Sequence, residues 1–312
     1  MTHSVFIDGG AGTTGLEIAE RLGDRPDLTI IRLDEARRKD PVARREALND
    51  ADAVILCLPD DAAREAVALI DNPRTRVIDA SSAHRVADGW TYGFPELGRG
   101  GRDRVASATR VSNPGCYPTG FLALVRPLVD AGLIERSTPL TVNATSGYSG
   151  GGKAMIAAFE DASAPDATDT AFRLYGLSLG HKHVAEMQVH AGLQHPPLFA
   201  PAVARTHRGM VVEVPLAIAP SLGAMRTALA KAYAGQALIT VADAESSAAM
   251  SLVTIERQAG TDRLELFVFG NEDRRQARLV AALDNLGKGA AGAAVQSLNL
   301  MLGLEETRGL RL

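Results

Sequence analysis

The chain has 312 residues, of which 46% are hydrophobic and 22% are charged, and its formal net charge is -4. A chain of this size can bury a large core, and such cores usually divide into two domains. The charge balance offers no broad basic surface, so we expect no nucleic acid and no membrane as partner. Its two cysteines exclude a disulfide framework, and we find neither a signal peptide nor a long apolar run. The composition predicts a cytoplasmic protein.

Short strand-like segments alternate with helix-like segments in the first third of the chain. The predicted strands are residues 4–7, 28–33, 53–58 and 76–78, and a helix is predicted over residues 16–22. Such alternation is typical of a parallel sheet with helices on both faces. The first domain is therefore predicted to be α/β and doubly wound.

A glycine-rich loop follows the first predicted strand and opens the first helix. Glycines in this loop allow a tight turn, and the helix N-terminus can face a pyrophosphate. The spacing is G-x-x-G-x-x-G rather than the commoner G-x-G-x-x-G, so an ordinary strand-to-helix turn is the alternative. We predict a dinucleotide site formed by Gly9, Gly12, Thr13, Thr14 and Gly15.

The second predicted strand ends in a charged run that contains Asp34, Arg37, Arg38 and Lys39. An acid at this place would bind the ribose hydroxyls of NAD, whereas arginines would accept the additional phosphate of NADP. A solvated charged turn is an equal alternative. We predict NADP(H) as the cofactor, with Arg37 and Arg38 among its ligands.

A cysteine on a tight turn is the candidate nucleophile. Cys116 follows Pro114-Gly115 and precedes an apolar, helix-like run over residues 121–133, and Pro118 suits a first helical turn. The first N–H groups of a helix carry partial positive charge, which favours a thiolate. A buried structural cysteine is the alternative. By contrast, Cys57 lies inside a predicted apolar strand.

A second glycine-rich loop spans residues 145–153 and follows a strand-like segment at residues 140–144. Its backbone N–H groups, serine hydroxyls and lysine could form an oxyanion or phosphate cradle, with Ser146, Gly147 and Lys153 as candidates. A flexible hairpin is the alternative, since the spacing is not that of a Walker loop.

The one histidine-rich segment spans residues 180–190. In a helix, His183, Glu186 and His190 would share a face, so Glu186 could orient His183. An imidazole near a reactive thiol would supply the acid or base that its catalysis needs. There are two alternatives. One is a metal site formed by His181, His183 and a carboxylate, and the other is the end of a surface helix. We predict no metal.

Longer strands replace the alternating pattern in the second half. They are predicted at residues 211–218, 252–256 and 264–269, with a turn at residues 259–262, whereas residues 281–302 are predicted as two helices broken near residues 287–289. The pattern favours a mixed or antiparallel sheet in a second domain that begins after about Cys116.

Further motifs complete an ordered set. They are Asp79-Ala80-Ser81-Ser82-Ala83-His84-Arg85, Tyr92-Gly93-Phe94-Pro95-Glu96, Asn113-Pro114-Gly115-Cys116-Tyr117-Pro118-Thr119, His181-Lys182-His183, and Asp284-Asn285-Leu286-Gly287-Lys288-Gly289-Ala290-Ala291-Gly292. With the two glycine-rich loops, they resemble the shorter N-acetyl-gamma-glutamyl-phosphate reductases of arginine biosynthesis, which are members of the semialdehyde dehydrogenase superfamily. The resemblance covers nearly the whole chain.

The resemblance implies roles for individual residues. The nucleophile of the family matches Cys116, and its acid/base histidine matches His183. Three further positions lie around that histidine, namely Tyr175, His181 and Glu186. Arg85 matches an arginine that faces the substrate phosphate in aspartate-semialdehyde dehydrogenases, and Asn285 matches a position near the nicotinamide. Longer members have an arginine where this chain has Lys153, which cannot form a planar bidentate contact.

The resemblance also implies a fold and an activity. It implies a Rossmann-type, doubly wound NADP-binding domain over residues 1–115, completed by a C-terminal helix at 285–312. Residues 116–284 would form an α+β catalytic and dimerisation domain with a mixed sheet, in a homodimer or homotetramer. The implied reaction is NADPH-dependent reduction of N-acetyl-glutamyl 5-phosphate through a cysteine thioester. The alternatives are an acyl-phosphate reductase like aspartate-semialdehyde dehydrogenase and a non-catalytic dinucleotide-binding regulator.

Overall fold

The computed structural model describes residues 2–34, 37, 40–217 and 219–312. The chain divides into two compact units. The first consists of Met1–Pro95, Gly100–Pro114 and Ala290–Leu310, and the second of Glu96–Arg99, Gly115–Gly289 and Arg311–Leu312. The predicted cofactor ligand Arg38, its neighbour Lys39 and the last residue of the predicted strand 211–218 lie outside the described residues.

The first unit contains a six-stranded sheet in which every pairing is parallel. Its strands are β1 (His3–Asp8), β2 (Leu28–Ile31), β3 (Ala53–Leu56), β4 (Arg76–Asp79), β5 (Thr91–Tyr92) and β6 (Arg110–Ser112). Their order is β2-β1-β3-β4-β6-β5, so the chain proceeds from β1 to opposite sides of the sheet. The predicted parallel sheet is confirmed.

Helices cover both faces of this sheet. They are α1 (Thr13–Leu22), α2 (Pro41–Asp50), α3 (Asp60–Ala68), α4 (Gly101–Ser107) and, from the end of the chain, α10 (Gly292–Met301). Successive strand residues point to opposite faces. Accordingly, Val5 packs in one apolar cluster with residues of α1 and α10, whereas Phe6 packs in another with residues of α2 and α3. The doubly wound prediction is therefore confirmed.

The second unit contains a seven-stranded mixed sheet of order β11-β12-β13-β10-β7-β9-β8. Its strands are β7 (Thr141–Gly147), β8 (Phe172–Leu174), β9 (Leu198–Ala204), β10 (Met210–Leu216), β11 (Ile239–Val241), β12 (Leu264–Asn271) and β13 (Gln276–Leu283). The helices are α5 (Cys116–Asp130), α6 (Gly152–Glu160), α7 (His183–Ala191), α8 (Leu222–Ala232) and α9 (Ala244–Ala248). Pairs β7–β9 and β11–β12 are parallel and the others antiparallel, which confirms the predicted mixed sheet.

The predicted strand at residues 252–256 is wrong. The chain turns within it, and the Arg257 N–H donates to the Thr254 carbonyl. Val253 packs against a small apolar cluster on β12 and β13, whereas Leu252 is 68% exposed. A single β-branched side chain thus reaches the core from a turn, and tertiary packing overrides the strand preference of the segment.

The chain end also differs from the two predicted helices. Residues 281–283 complete β13, so the first part of the predicted helical segment is a strand. A π-helical turn, Gly287–Ala291, follows and leads into α10. Alanine and leucine suit a strand buried on both faces as well as a helix, so the apolar run alone cannot distinguish the two. Within the described part of the chain, no helix is long and apolar enough to cross a membrane.

Candidate active site

The glycine-rich loop of the first unit forms a backbone cradle at the start of α1. Gly9 has φ +83°, and a Cβ there would lie 2.3 Å from the Cys57 carbonyl oxygen, so only glycine fits. The helix begins at Thr13, whose hydroxyl is buried and has no hydrogen-bond partner among the described residues. A buried hydroxyl beside helix N–H groups that lack internal partners suits an anionic phosphate. The residues therefore fit a dinucleotide pyrophosphate.

The charged run after β2 is exposed where the structure describes it. The Asp34 carboxylate accepts the Arg37 backbone N–H at 2.8 Å, and the Arg37 guanidinium lies 3.7 Å from the Glu46 carboxylate. Both side chains of this ion pair are more than half exposed. The geometry is compatible with a phosphate ligand and with a solvated turn.

The candidate nucleophile lies in the first turn of α5. Cys116 is the first helical residue and is half-buried, and Gly115 is the N-cap. The Thr119 N–H and its hydroxyl contact the Gly115 carbonyl at 3.0 and 2.9 Å. The predicted helix is confirmed and already begins at Cys116, whereas the predicted tight turn is wrong, because residues 113–115 form no turn and Gly115 is extended. A thiolate here would meet the partial positive charge of the helix N-terminus.

A buried carboxylate holds this turn from α7. The Gly115 N–H donates to Glu186 Oε1 at 2.7 Å, and Glu186 is 1% exposed. His183 is the first residue of α7, and it shares one helix face with Glu186, as the sequence predicted; both residues are buried. Glu186 thus connects the histidine helix to the residue that precedes the nucleophile, a contact that the sequence did not predict.

Two histidines surround the ring of Tyr117, the residue after the nucleophile. The Tyr117 ring centroid lies 5.9 Å from that of His183 and 6.4 Å from that of His181. The centroids of the two histidine rings are 4.6 Å apart, and the backbone N–H of His183 donates to His181 Nδ1 at 3.2 Å. Tyr117 therefore forms a common packing surface for both imidazoles. It was absent from the predicted site, although it lies within the cysteine motif.

A chain of hydroxyl groups extends from the same tyrosine. The Tyr175 hydroxyl donates to the Tyr117 hydroxyl at 3.1 Å, and the Tyr117 hydroxyl lies 3.0 Å from Ser146 Oγ. Burial, with a smaller contribution from the charge of Cys116, raises the pKa of Tyr175 to about 12. Burial also raises the pKa of Tyr117 well above 10, with ionised Tyr175 and Cys116 adding to the effect. Both phenols are therefore protonated donors near neutral pH.

The serine–glycine loop is ordered by a buried amide. After β7 ends at Gly147, one 3-10 turn leads into α6, so the alternative of a flexible hairpin is wrong. Asn285 Nδ2 donates to Ser149 Oγ, and Asn285 Oδ1 accepts the Gly209 N–H, both at 2.9 Å. Asn285 is thus engaged in holding this loop, while Lys153 is exposed in the first turn of α6. Their contacts with cofactor and substrate stay predictions.

Arg85 belongs to the first unit and binds backbone carbonyls there. Its Nε donates to the Asn113 carbonyl at 3.0 Å and its Nη2 to the Ala80 carbonyl at 3.2 Å, and the residue is 8% exposed. These bonds fix the segment that leads to the cysteine turn. The phosphate contact expected for Arg85 stays a prediction.

Cys57 has surroundings of a different kind. It follows the end of β3, and burial raises the pKa of its thiol to about 12, with the charges of Asp79 and Asp8 adding to the effect. A thiol with this pKa is protonated at neutral pH and is a poor nucleophile. Among the described residues, no group of three or more histidine, cysteine and acidic side chains could hold a metal ion.

Comparison with known proteins agrees with this architecture. Residues 4–103 match the NAD-binding domain of semialdehyde dehydrogenases, and residues 116–285 match their dimerisation domain. The chain belongs to the semialdehyde dehydrogenase family. It is 52% identical over 309 residues to the N-acetyl-gamma-glutamyl-phosphate reductases of Brucella ovis and Brucella canis, which covers 97% of this chain and all of each relative. The resemblance inferred from the motifs is confirmed.

Solved structures of the family share the fold at low identity. Aspartate semialdehyde dehydrogenase II from Vibrio cholerae aligns with a TM-score of 0.71 at 17% identity, covering 97% of this chain and 99% of that one. A probable aspartate-semialdehyde dehydrogenase from Pseudomonas aeruginosa aligns with a TM-score of 0.72 at 18% identity and the same coverage. These similarities establish the fold of the semialdehyde dehydrogenases for this chain.

The predicted site residues divide between the two units. The glycine-rich loop, Arg37 and Arg85 belong to the first unit. In the second unit, direct contacts connect four of the predicted residues with Tyr117. These four are Ser146, Tyr175, His181 and His183, whereas Glu186 contacts Gly115. The sequence could not reveal the Glu186–Gly115 contact, because its partners are 71 positions apart.

Proposed function

We propose that this protein reduces N-acetyl-glutamyl 5-phosphate to N-acetyl-glutamate 5-semialdehyde with NADPH and releases phosphate. The observation that carries the proposal is the position of Cys116 in the first turn of α5, with Glu186 bound to the preceding residue. Identity to N-acetyl-gamma-glutamyl-phosphate reductases over nearly the whole chain supports this choice of substrate.

The first half-reaction forms a thioester. His183 takes the proton of the Cys116 thiol, and the thiolate attacks the carbonyl carbon of the acyl phosphate. Backbone N–H groups stabilise the oxyanion while the bond to the phosphate oxygen breaks. The leaving phosphate then receives the proton that His183 holds. Phenols of high pKa at Tyr117 and Tyr175 would stay neutral donors throughout.

The second half-reaction releases the aldehyde. A bound nicotinamide supplies the hydride that reduces the thioester. Collapse of the resulting thiohemiacetal breaks the carbon–sulfur bond and returns Cys116 as the thiolate. His183 is the group through which the thiolate regains a proton. Cys116 thus serves as nucleophile in one half-reaction and as leaving group in the other.

The finer assignments follow from the same proposal. Arg37 and Arg38 would bind the additional phosphate of NADP, and Thr13 would bind the pyrophosphate. Residues 1–115 with 285–312 would act as the cofactor-binding domain, and residues 116–284 as the catalytic domain. The match to a dimerisation domain supports a homodimer or a homotetramer, and we propose that the protein acts in the cytoplasm.

A substrate comparison in the reverse direction tests the proposal. With phosphate and NADP, we expect kcat/KM for N-acetylglutamate semialdehyde to exceed that for aspartate semialdehyde by at least ~10²-fold. The N-acetylated substrate carries no ammonium group, whereas a site built for a free amine must pair that charge. A preference for aspartate semialdehyde would contradict the substrate assignment. Activity with neither would favour a dinucleotide-binding regulator.

A further inference from the structure

A fully buried ion pair lies in the second unit, between two motifs to which the mechanism gives no role. Lys288 Nζ lies 2.8 and 2.9 Å from the two carboxylate oxygens of Glu96. The two side chains are 1% and 0% exposed. Removing two charges from water costs about as much as their attraction returns, so such a pair stabilises a fold poorly compared with apolar residues. Stability alone therefore does not explain it.

The residue after Lys288 packs against the nucleophile. A Cβ on Gly289 would lie 2.9 Å from the Cβ of Cys116 and 3.3 Å from its Cα. Real Cβ atoms do not approach one another so closely, so any side chain at this position would displace the cysteine or the turn. The Gly289 backbone is thus one wall of the space that holds Cys116.

Gly289 lies in the middle of the π-helical turn, Gly287–Ala291. The Asp284 carboxylate fixes the beginning of this turn, because its Oδ1 accepts the N–H groups of Leu286 and Gly287 at 2.8 and 3.2 Å. The Gly289 N–H donates to the Asp284 carbonyl at 3.0 Å. Lys288 supplies the side-chain anchor in the centre. Single π turns are rare and are found mostly at functional sites.

We propose that the Glu96–Lys288 ion pair positions Cys116 by holding the Gly289 backbone against it. The inference rests on the proposed function in one respect, that Cys116 is the nucleophile. A lysine bound to both carboxylate oxygens is fixed in distance and direction, whereas an apolar contact would let the turn shift. Glu96 and Lys288 are therefore positioning residues, and their loss lowers the rate of thiol chemistry rather than substrate affinity.

The test is the double variant Glu96→Leu/Lys288→Met, which removes both charges and leaves neither of them buried alone. We expect kcat to fall by about 10- to 100-fold, the cost of a small misplacement of a reacting group, while KM for the substrate stays near its wild-type value. The rate of Cys116 alkylation by iodoacetamide should fall in parallel. Gly289→Ala should lower both rates while leaving the ion pair intact.

A control removes another, less buried ion pair of the second unit. Arg257 and Glu265 are joined at 2.6 and 3.0 Å, and neither belongs to the proposed machinery. The variant Arg257→Met/Glu265→Leu should keep the wild-type kcat and alkylation rate. Rates are expressed per folded molecule, with the folded fraction measured by circular dichroism, so a loss of folded protein does not enter them.

Unchanged rates per folded molecule in Glu96→Leu/Lys288→Met, or in Gly289→Ala, would overturn the proposal and leave the pair a structural feature. If the double variant does not fold, Lys288→Arg decides instead, because it keeps the charge and changes the geometry. A slower alkylation rate in that variant supports positioning, and a wild-type rate overturns it. Alkylation requires no substrate, so a wild-type enzyme inactive with N-acetylglutamate semialdehyde would contradict the proposed function and leave this test intact.

Discussion

The two cysteines of the protein occupy opposite kinds of environment. Cys57 follows a buried strand of the first unit, where burial and two nearby carboxylates raise the pKa of its thiol to about 12. Cys116 begins a helix of the second unit, where it lies at the helix N-terminus and its charge raises the pKa of Tyr117 and of Tyr175. The difference shows that the reactivity of a cysteine is set by its position relative to helix ends and buried charge.

Replacing each cysteine by serine should separate the two environments most strongly. Cys116→Ser should keep the fold and lower kcat by at least about 10³-fold, since it removes the group that forms the thioester. Cys57→Ser should keep kcat and lose at most about 1–3 kcal/mol of stability through its buried hydroxyl. Reverse-direction assays and thermal unfolding of both variants measure these effects. Near-normal turnover by Cys116→Ser would remove thioester chemistry from consideration.

Alkylation at controlled pH should show the same contrast without substrate. Because the pKa of Cys57 is raised to about 12, its thiol stays protonated at pH 8 and gains reactivity only as the pH approaches that value. Iodoacetamide should therefore modify Cys116 at least about 10²-fold faster at pH 8. Peptide mass spectrometry reads both sites in one sample. Equal rates at pH 8 would show that the two environments do not differ as described.

Two substitutions of Glu186 should separate the effect of its hydrogen bond to Gly115 from the effect of its negative charge on Cys116. Glu186→Ala loses the contact with the Gly115 N–H, and we expect kcat to fall about tenfold as the turn loosens. Glu186→Gln keeps an acceptor and removes a negative charge that opposes the thiolate, so half-maximal alkylation of Cys116 should move to lower pH. Tyr117 and Tyr175, which interact electrostatically with this thiol, and the Glu96–Lys288 pair are unchanged in both variants.

A packing variant on the same helix is the control for Glu186. Met187 is fully buried, and Met187→Ala should cost about 2–5 kcal/mol of stability through the cavity it leaves. It should not move the pH dependence of alkylation, because it changes no charge. Superimposable alkylation profiles for Glu186→Gln and the wild type would mean that the carboxylate has no electrostatic influence on Cys116.

The smallest effect is expected at the cofactor end of the first unit. Arg37→Gln/Arg38→Gln should raise KM for NADPH by up to about tenfold, the worth of one or two charge-assisted contacts with the additional phosphate. KM for NADH should change little in this variant. Asp34→Ala should instead raise KM for NADH more than KM for NADPH, because an acid at this position would favour NADH. Steady-state kinetics with both cofactors measure the effect. An equal rise for NADPH and NADH would identify a solvated turn.

Local features of the fold could be predicted from the sequence because their causes are local. Turn residues before Cys116 and the apolar run after it indicate a helix start, and the glycine loop after a strand indicates a cradle. Helical periodicity also predicted that His183 and Glu186 share one face. Each of these patterns depends on residues within a few positions of one another, where backbone sterics and helix geometry decide the outcome.

Long-range features could not be predicted in this way. The Glu96–Lys288 ion pair joins positions 192 apart, and nothing in either motif identifies its partner. Residues 252–256 resemble a strand, yet they pair with no strand in the part of the chain that the structure describes. Residues 281–283 resemble the start of a helix, yet they complete the central part of a buried sheet. Tertiary packing decides these cases, and a local pattern does not contain it.

Trapping the acyl-enzyme tests the central claim most directly. The protein is mixed with N-acetyl-glutamyl 5-phosphate without any nicotinamide cofactor, so that only the first half-reaction can proceed. We predict that mass spectrometry finds one N-acetylglutamyl group on the peptide of Cys116, in the wild type and in Cys57→Ser but not in Cys116→Ser, and that NADPH removes it. A wild-type protein that turns over without this adduct, or that carries it on another residue, would contradict the account.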